Sequence, residues 1–178
     1  MYFLEAKGEF VKTTERILFR DLAKEVAERF DSRPMFVNIG VSWGATLHCL
    51  RAGAPGAKLI GIDIDLEHRK LHGDPKAILI EGDSNTLCAR FGSKIHFLLV
   101  DGGHDYDTVK NDIIGWTPKV VPGGVVAFHD YTPLPGSIRH EPCLVGVKQA
   151  VDELLMGNEE WTEIDRAISS IAFQKNPR

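Results

Sequence analysis

Apolar positions recur along this chain in two alternating rhythms. From about Thr13 to Phe30 the residues Ile17, Leu18, Leu22, Val26 and Phe30 fall at helical spacing, which predicts an amphipathic helix. Asp31-Ser32-Arg33-Pro34 breaks it. Short continuous apolar runs then read as buried strands: MFVNI (Met35 to Ile39), KLIGIDI (Lys58 to Ile64), KAILIEG (Lys76 to Gly82), IHFLLVD (Ile95 to Asp101) and GVVAFHD (Gly124 to Asp130). Helices are predicted between them, at about Gly44 to Ala52, Leu66 to Leu71, within SNTLCARFG with Ser84 as its cap, and from Asp105 to Val120, where Pro122-Gly123-Gly124 ends the helix. The Pro- and Gly-rich TPLPGSIRHEPCLVG leads to an amphipathic helix at about Val147 to Met156, and WTEIDRA and SSIAFQK predict an antiparallel hairpin.

Continuous apolar strands alternating with helices mean a mostly parallel sheet covered on both faces. Right-handed crossovers then select an open, doubly wound, Rossmann-like α/β sheet with a C-terminal antiparallel strand pair. A chain of 178 residues is expected to form a single domain over 1–178, residues 1–33 being its N-terminal helical segment. The net charge of -4, with no basic run, gives no footprint for nucleic acid. Cys49, Cys88 and Cys143 are scattered and form no CxxC pair, which argues against a disulfide scaffold or structural zinc and fits a cytoplasmic location. MYFLEAKGEFVKTTERILF carries charges throughout, so it reads as neither signal peptide nor membrane span, and no membrane partner is expected.

In such sheets ligands bind outside the carboxyl ends of the strands, where strand order reverses. The strand ends are Asn38-Ile39-Gly40, Asp63, Gly82-Asp83-Ser84, Asp101-Gly102-Gly103-His104 and His129-Asp130-Tyr131. Four of these five carry a carboxylate, more than turn-starting alone explains. Asp63 follows Gly40 by roughly twenty residues, the separation at which a second-strand acid reaches ribose hydroxyls. Gly40 permits close backbone approach to a ligand, and Gly44 tight packing of the next helix. G-V-S-W-G-A-T lacks the third glycine of a dinucleotide fingerprint. That points to a ribose-bearing ligand without a pyrophosphate.

With these residues in view, VNIGVSWGAT, GIDID, EGDS and LLVDGGHDYDTVKNDIIGWTPKVVPGGVVAFHDY resemble class I S-adenosylmethionine-dependent methyltransferases. The closest subgroup is that of small-molecule and sugar O-methyltransferases with D-G-x-H after the fourth strand and H-D-Y after the fifth. The resemblance runs from about Phe36 onward. It implies that Gly40 and Gly44 lie under the methionine part of S-adenosylmethionine, that Asp63 takes the ribose hydroxyls, that Asp83 and Ser84 flank the adenine, and that Asp101 sits near the sulfonium. Asn38 stands where the family usually has an acid that holds the cofactor's amino group. The expected partner is a small-molecule acceptor, and small members of such families often pair as homo-oligomers.

Transfer to a hydroxyl also requires its proton to leave, by way of a histidine base or a divalent metal. His104 is the first candidate base and His129 the second; the plain alternative for His104 is a helix-start histidine bonded to a backbone carbonyl. The related catechol-type enzymes place metal ligands at the positions of Asp101 and Asp130, with a third at Tyr131, a poor ligand. Replacement by His104 or His129 would favour a transition metal over magnesium. Otherwise Asp130 caps its loop and Asp101 bonds the Gly102-Gly103 turn. Two rival functions stand beside this one. Tyr106-x-x-x-Lys110 matches the short-chain dehydrogenases that use NAD, though it falls too early in the chain, and Asn38 is compatible with a cofactor-binding module without turnover.

Overall fold

A computed structural model describes residues 11–30, 33–67, 74–132 and 144–177. Helix α1 (Thr13–Arg29) precedes strand β1 (Met35–Ile39), helix α2 (Ala45–Gly53) and strand β2 (Lys58–Asp63). Strand β3 (Ile78–Glu81), the short α3 (Ser84–Leu87), β4 (Ile95–Val100), α4 (Tyr106–Trp116) and β5 (Val120–Phe128) follow. Then come α5 (Leu144–Leu154) and the hairpin of β6 (Trp161–Ala167) and β7 (Ser170–Lys175). The helix expected at Leu66 to Leu71 lies largely outside the described residues, as do Cys143 and most of the loop after β5.

The strand order is β3-β2-β1-β4-β5-β7-β6. Strands β1 to β5 run parallel, while β7 is antiparallel to both β5 and β6. This is the doubly wound sheet with the C-terminal antiparallel pair that the apolar runs predict. Order reverses between β1 and β4, so the loops after those two strands open on the crevice.

Side chains alternate between the two faces, and helices on both explain why β1 and β4 carry no polar face. On β1, Phe36 packs with Phe19, Leu22 and Leu47 of α1 and α2. Its neighbours Val37 and Ile39 pack with Ile113, Trp116 and Val151 of α4 and α5. On β5, Val125 and Ala127 face α1 and α2, while Val126 and Phe128 face the other layer.

Three boundaries differ from expectation. Helix α4 stops at Trp116 and a 3-10 turn covers Thr117–Lys119; Pro118 has no N–H with which to continue the helix. Strand β5 already begins at Val120, and Pro122-Gly123-Gly124 is absorbed where its register with β4 shifts between Ile95 and Phe97. Asp83, not Ser84, caps α3: its carboxylate accepts from Asn85 N–H at 3.1 Å and Thr86 Oγ1 at 2.8 Å. Among the described residues, no helix is long and apolar enough to cross a membrane.

Candidate functional site

The turn after β1 and the acid after β2 form one unit. Gly40 and Gly44 both sit in the left-handed region, at φ 83° and 81°. A Cβ on Gly40 would stand 2.0 Å from the Asp101 carbonyl oxygen. The space that a side chain would need at Gly40 is therefore taken by the backbone after β4. Asp63 Oδ2 accepts from the N–H groups of Val41 at 2.7 Å and Ser42 at 2.8 Å, clamping the glycine turn. Oδ1 accepts from Asp65 N–H at 3.1 Å. Asn38 is wholly buried, and its amide donates to the carbonyls of Ile39 at 3.2 Å and Gly40 at 2.7 Å. Its Oδ1 is buried with no partner, an acceptor left open beside the turn.

Beyond Asp63, Gly82 N–H donates to the Asp63 carbonyl, so Asp83 and Ser84 stand at the neighbouring strand end. Asp83 is exposed, and Ser84 turns inward to donate from Oγ to Asp112 Oδ1 at 2.6 Å. Asp112 of α4 is fully buried, and its Oδ2 has no partner. Burial, with the charges of Asp83 and Asp105, pushes its pKa up to about 6 despite the Ser84 bond.

The densest group of titratable side chains lies at the ends of β4 and β5. The parallel ladder continues past both strands, with Asp101 N–H on the Ile39 carbonyl at 2.8 Å and His129 N–H on that of Val100 at 3.1 Å. Alternation carries His129 to the α1 side, beside Ala127, where its ring meets Phe19 edge-on. Only 4% of His129 is exposed. Its Nδ1 lies 3.0 Å from Asp101 Oδ1 and 3.1 Å from Asp130 Oδ2, yet is aligned for a hydrogen bond with neither. On the other edge of the ring, Nε2 lies 3.4 Å from Glu15 Oε2. His104 Nε2 stands 3.0 Å from Asp130 Oδ2, not against a backbone carbonyl. Asp130 holds a positive φ of 56°, a conformation costing an aspartate on the order of 1 kcal/mol.

Charge follows from this geometry. Burial works against a charged His129, but the close carboxylates of Asp101, Asp130 and Glu15 outweigh it and raise its pKa. Burial likewise opposes ionised Asp130, and the two imidazoles hold it well below the usual carboxylate range. The Asp130 bond raises the pKa of His104 against burial. One ligand atom from each of Asp101, His129 and Asp130 lies within 4.8 Å of the others, spacing that suits a single cation. Tyr131, at the third ligand position of the catechol-type pattern, is instead buried and donates to Asp152 Oδ1 at 2.7 Å. Glu15 and Asp112 are the two members of these networks that the strand-end reading misses.

Residues 37–131 match the family described as a methyltransferase domain. The chain belongs to this family. An O-methyltransferase from Bacillus cereus, solved in complex with SAH, is 15% identical with a TM-score of 0.70, over 97% of this chain and 84% of that one. The O-methyltransferase NovP is 15% identical with a TM-score of 0.66, over 91% and 79% of the two chains. MycE, a methyltransferase of the mycinamycin biosynthetic pathway solved with Mg and SAH, is 17% identical with a TM-score of 0.66. There the alignment covers 98% of this chain and 53% of MycE, so this chain spans about half its length. Identities this low show a shared fold.

Within this methyltransferase-domain protein, the dehydrogenase-like match has a structural duty. Lys110 Nζ donates to Tyr106 Oη at 2.8 Å and to Glu153 at 3.1 Å, and Tyr106 donates to Glu153 as well. The Y-x-x-x-K match is thus a brace between α4 and α5. Burial pushes the Cys49 thiol up to about 12, which removes it as a nucleophile.

Proposed function

We propose that this methyltransferase-domain protein moves the methyl group of S-adenosylmethionine to a hydroxyl oxygen of a small molecule, beside a divalent ion held by Asp101, His129 and Asp130. The observation that carries this reading is the buried, unaligned His129 Nδ1 between two carboxylates, with His104 at the rim of the same cluster. It is supported by SAH in the Bacillus cereus and MycE structures and by Mg in MycE. Cys49 and Cys88 are free, which is compatible with the proposed cytoplasmic location.

S-adenosylmethionine supplies a sulfonium methyl that is already strongly electrophilic, so the chain's main contribution is alignment. A bound divalent ion lowers the pKa of an adjacent hydroxyl. Asp63 fixes the glycine turn through Oδ2 and keeps lone-pair capacity on Oδ1 for ribose hydroxyls. Asn38 Oδ1 offers an uncharged acceptor to an ammonium group. Asp83 and Ser84 border the adenine side. An ionised Asp130 can only accept, so it draws the His104 hydrogen to Nε2 and leaves Nδ1 as the atom that takes the acceptor's proton.

Calorimetry with S-adenosylmethionine and with NAD tests the cofactor, and mass detection of SAH with a panel of hydroxyl acceptors tests turnover. Preference for NAD would refute the reading. Binding of S-adenosylmethionine without SAH release from any acceptor, ion present, would favour the inactive binding module. Removal of divalent ions by a chelator is expected to suppress turnover.

A further inference from the structure

Glu15 sits on the edge of His129 opposite the two aspartates. It comes from the first turn of α1 and is fully buried. Its Oε1 accepts three hydrogen bonds: from Ser169 N–H at 3.0 Å, Ser169 Oγ at 2.5 Å and Ser170 Oγ at 2.9 Å. Its Oε2 accepts from Lys12 N–H at 2.9 Å and faces His129 Nε2. The donors come from the start of α1 and from the turn between β6 and β7, so the carboxylate is held from two directions. That turn also receives Tyr131 N–H on the Ser169 carbonyl at 2.6 Å, which steadies the loop carrying Asp130.

A carboxylate so supplied with donors is an acceptor only, and the imidazole hydrogen it faces belongs on Nε2. The second hydrogen, on Nδ1, is the one an arriving cation displaces, and Nδ1 points at Asp101 and Asp130. Carboxylates placed this way behind a ligating histidine fix its tautomer and ring angle.

We propose that Glu15 is a positioning residue of the metal centre: it keeps the His129 hydrogen on Nε2, so that Nδ1 completes a site of one nitrogen and two carboxylates that takes a divalent transition ion, such as Co2+, ahead of Mg2+. Imidazole suits transition ions, whereas Mg2+ favours oxygen ligands. The inference rests on the reading of Asp101, His129 and Asp130 as metal ligands.

The test titrates the full chain with Co2+ and Mg2+ by calorimetry, following Co2+ also by its visible absorption. Wild type should bind Co2+ at least tenfold more tightly than Mg2+, with bands indicating nitrogen ligation. Glu15→Gln should weaken Co2+ binding roughly 10- to 100-fold. In a His129→Asn background the same change should have no further effect, which a general structural role would not produce. If Glu15→Gln does not fold, the Ser169→Ala, Ser170→Ala double variant removes two donors from Oε1 and should weaken Co2+ in the same direction. Co2+ affinity within twofold of wild type in the folded variant, or an equal loss in the His129→Asn background, would overturn the role of Glu15 alone. A wild-type chain that binds neither ion would overturn the metal centre itself.

Discussion

Replacing Asp112 by Asn should stabilise the protein at neutral pH and leave it unchanged or weaker in acid. The carboxyl is fully buried between α3 and α4, with one hydrogen bond, from Ser84, and no partner on Oδ2. Burial, together with Asp83 and Asp105, raises its pKa from 3.8 to about 6. The folded state therefore binds the proton more tightly than the unfolded chain does. Its stabilising contribution is complete below about pH 3.8 and is lost as pH rises through about 6. Two units at 1.36 kcal/mol each make the penalty for ionised Asp112 about 3 kcal/mol at pH 7 and above. Asn keeps an acceptor for Ser84 Oγ but places an N–H pair where Oδ2 finds no partner, which returns about 1 to 2 kcal/mol. The expected net gain at pH 7.5 is thus about 1 to 2 kcal/mol. Urea unfolding of both proteins between pH 4 and 8 measures it, and the difference between them isolates this one group. A stability difference that stays flat between pH 4 and 7, or that turns against the variant as pH rises, would refute the reasoning.

The other expectations concern the crevice. Asp63→Ala should weaken S-adenosylmethionine binding at least tenfold by calorimetry, because it removes the proposed ribose contact and frees the Val41 and Ser42 N–H groups; unchanged affinity would count against the cofactor assignment. Gly40→Ala should lower stability by about 2 kcal/mol or more in thermal unfolding, since the backbone is left-handed and the new methyl would overlap the Asp101 carbonyl. Asp130→Asn should lower the His104 pKa in the metal-free protein, read by NMR titration, because the carboxylate that raises it is gone; a value that stays up would place the cause elsewhere.

Much of this was legible from residue order. Buried parallel strands are written as unbroken apolar runs, so β1, β2, β4 and β5 could be placed, and with them the ends that carry Asn38, Asp63, Asp101 and Asp130. The direction of His129 is not written in the residue order: alternation sets it with Val125 and Ala127, but only packing shows that this side meets α1. The boundary of β5 was not legible, because Pro122-Gly123-Gly124 ends helices as readily as it forms an irregular strand, and only pairing with β4 decides.

Glu15 and Asp112 show a different limit. On α1, Glu15 shares the stripe of Leu18, Leu22 and Val26; on α4, Asp112 shares that of Val109, Ile113 and Trp116. A charged residue within an apolar stripe is a visible signal that something polar is buried. What the signal withholds is the state of the acid. Glu15 collects donors from Lys12, Ser169 and Ser170 and faces His129, and these outweigh burial and hold it at about 2. Asp112 collects one donor, and burial prevails. Identical placement on an apolar stripe thus yields an anchor that ionises readily in one layer and a carboxyl that holds its proton up to about pH 6 in the other. The difference lies in how many N–H and O–H groups the rest of the chain brings to each, and all of those groups but the Lys12 N–H come from segments 28 to 155 residues away.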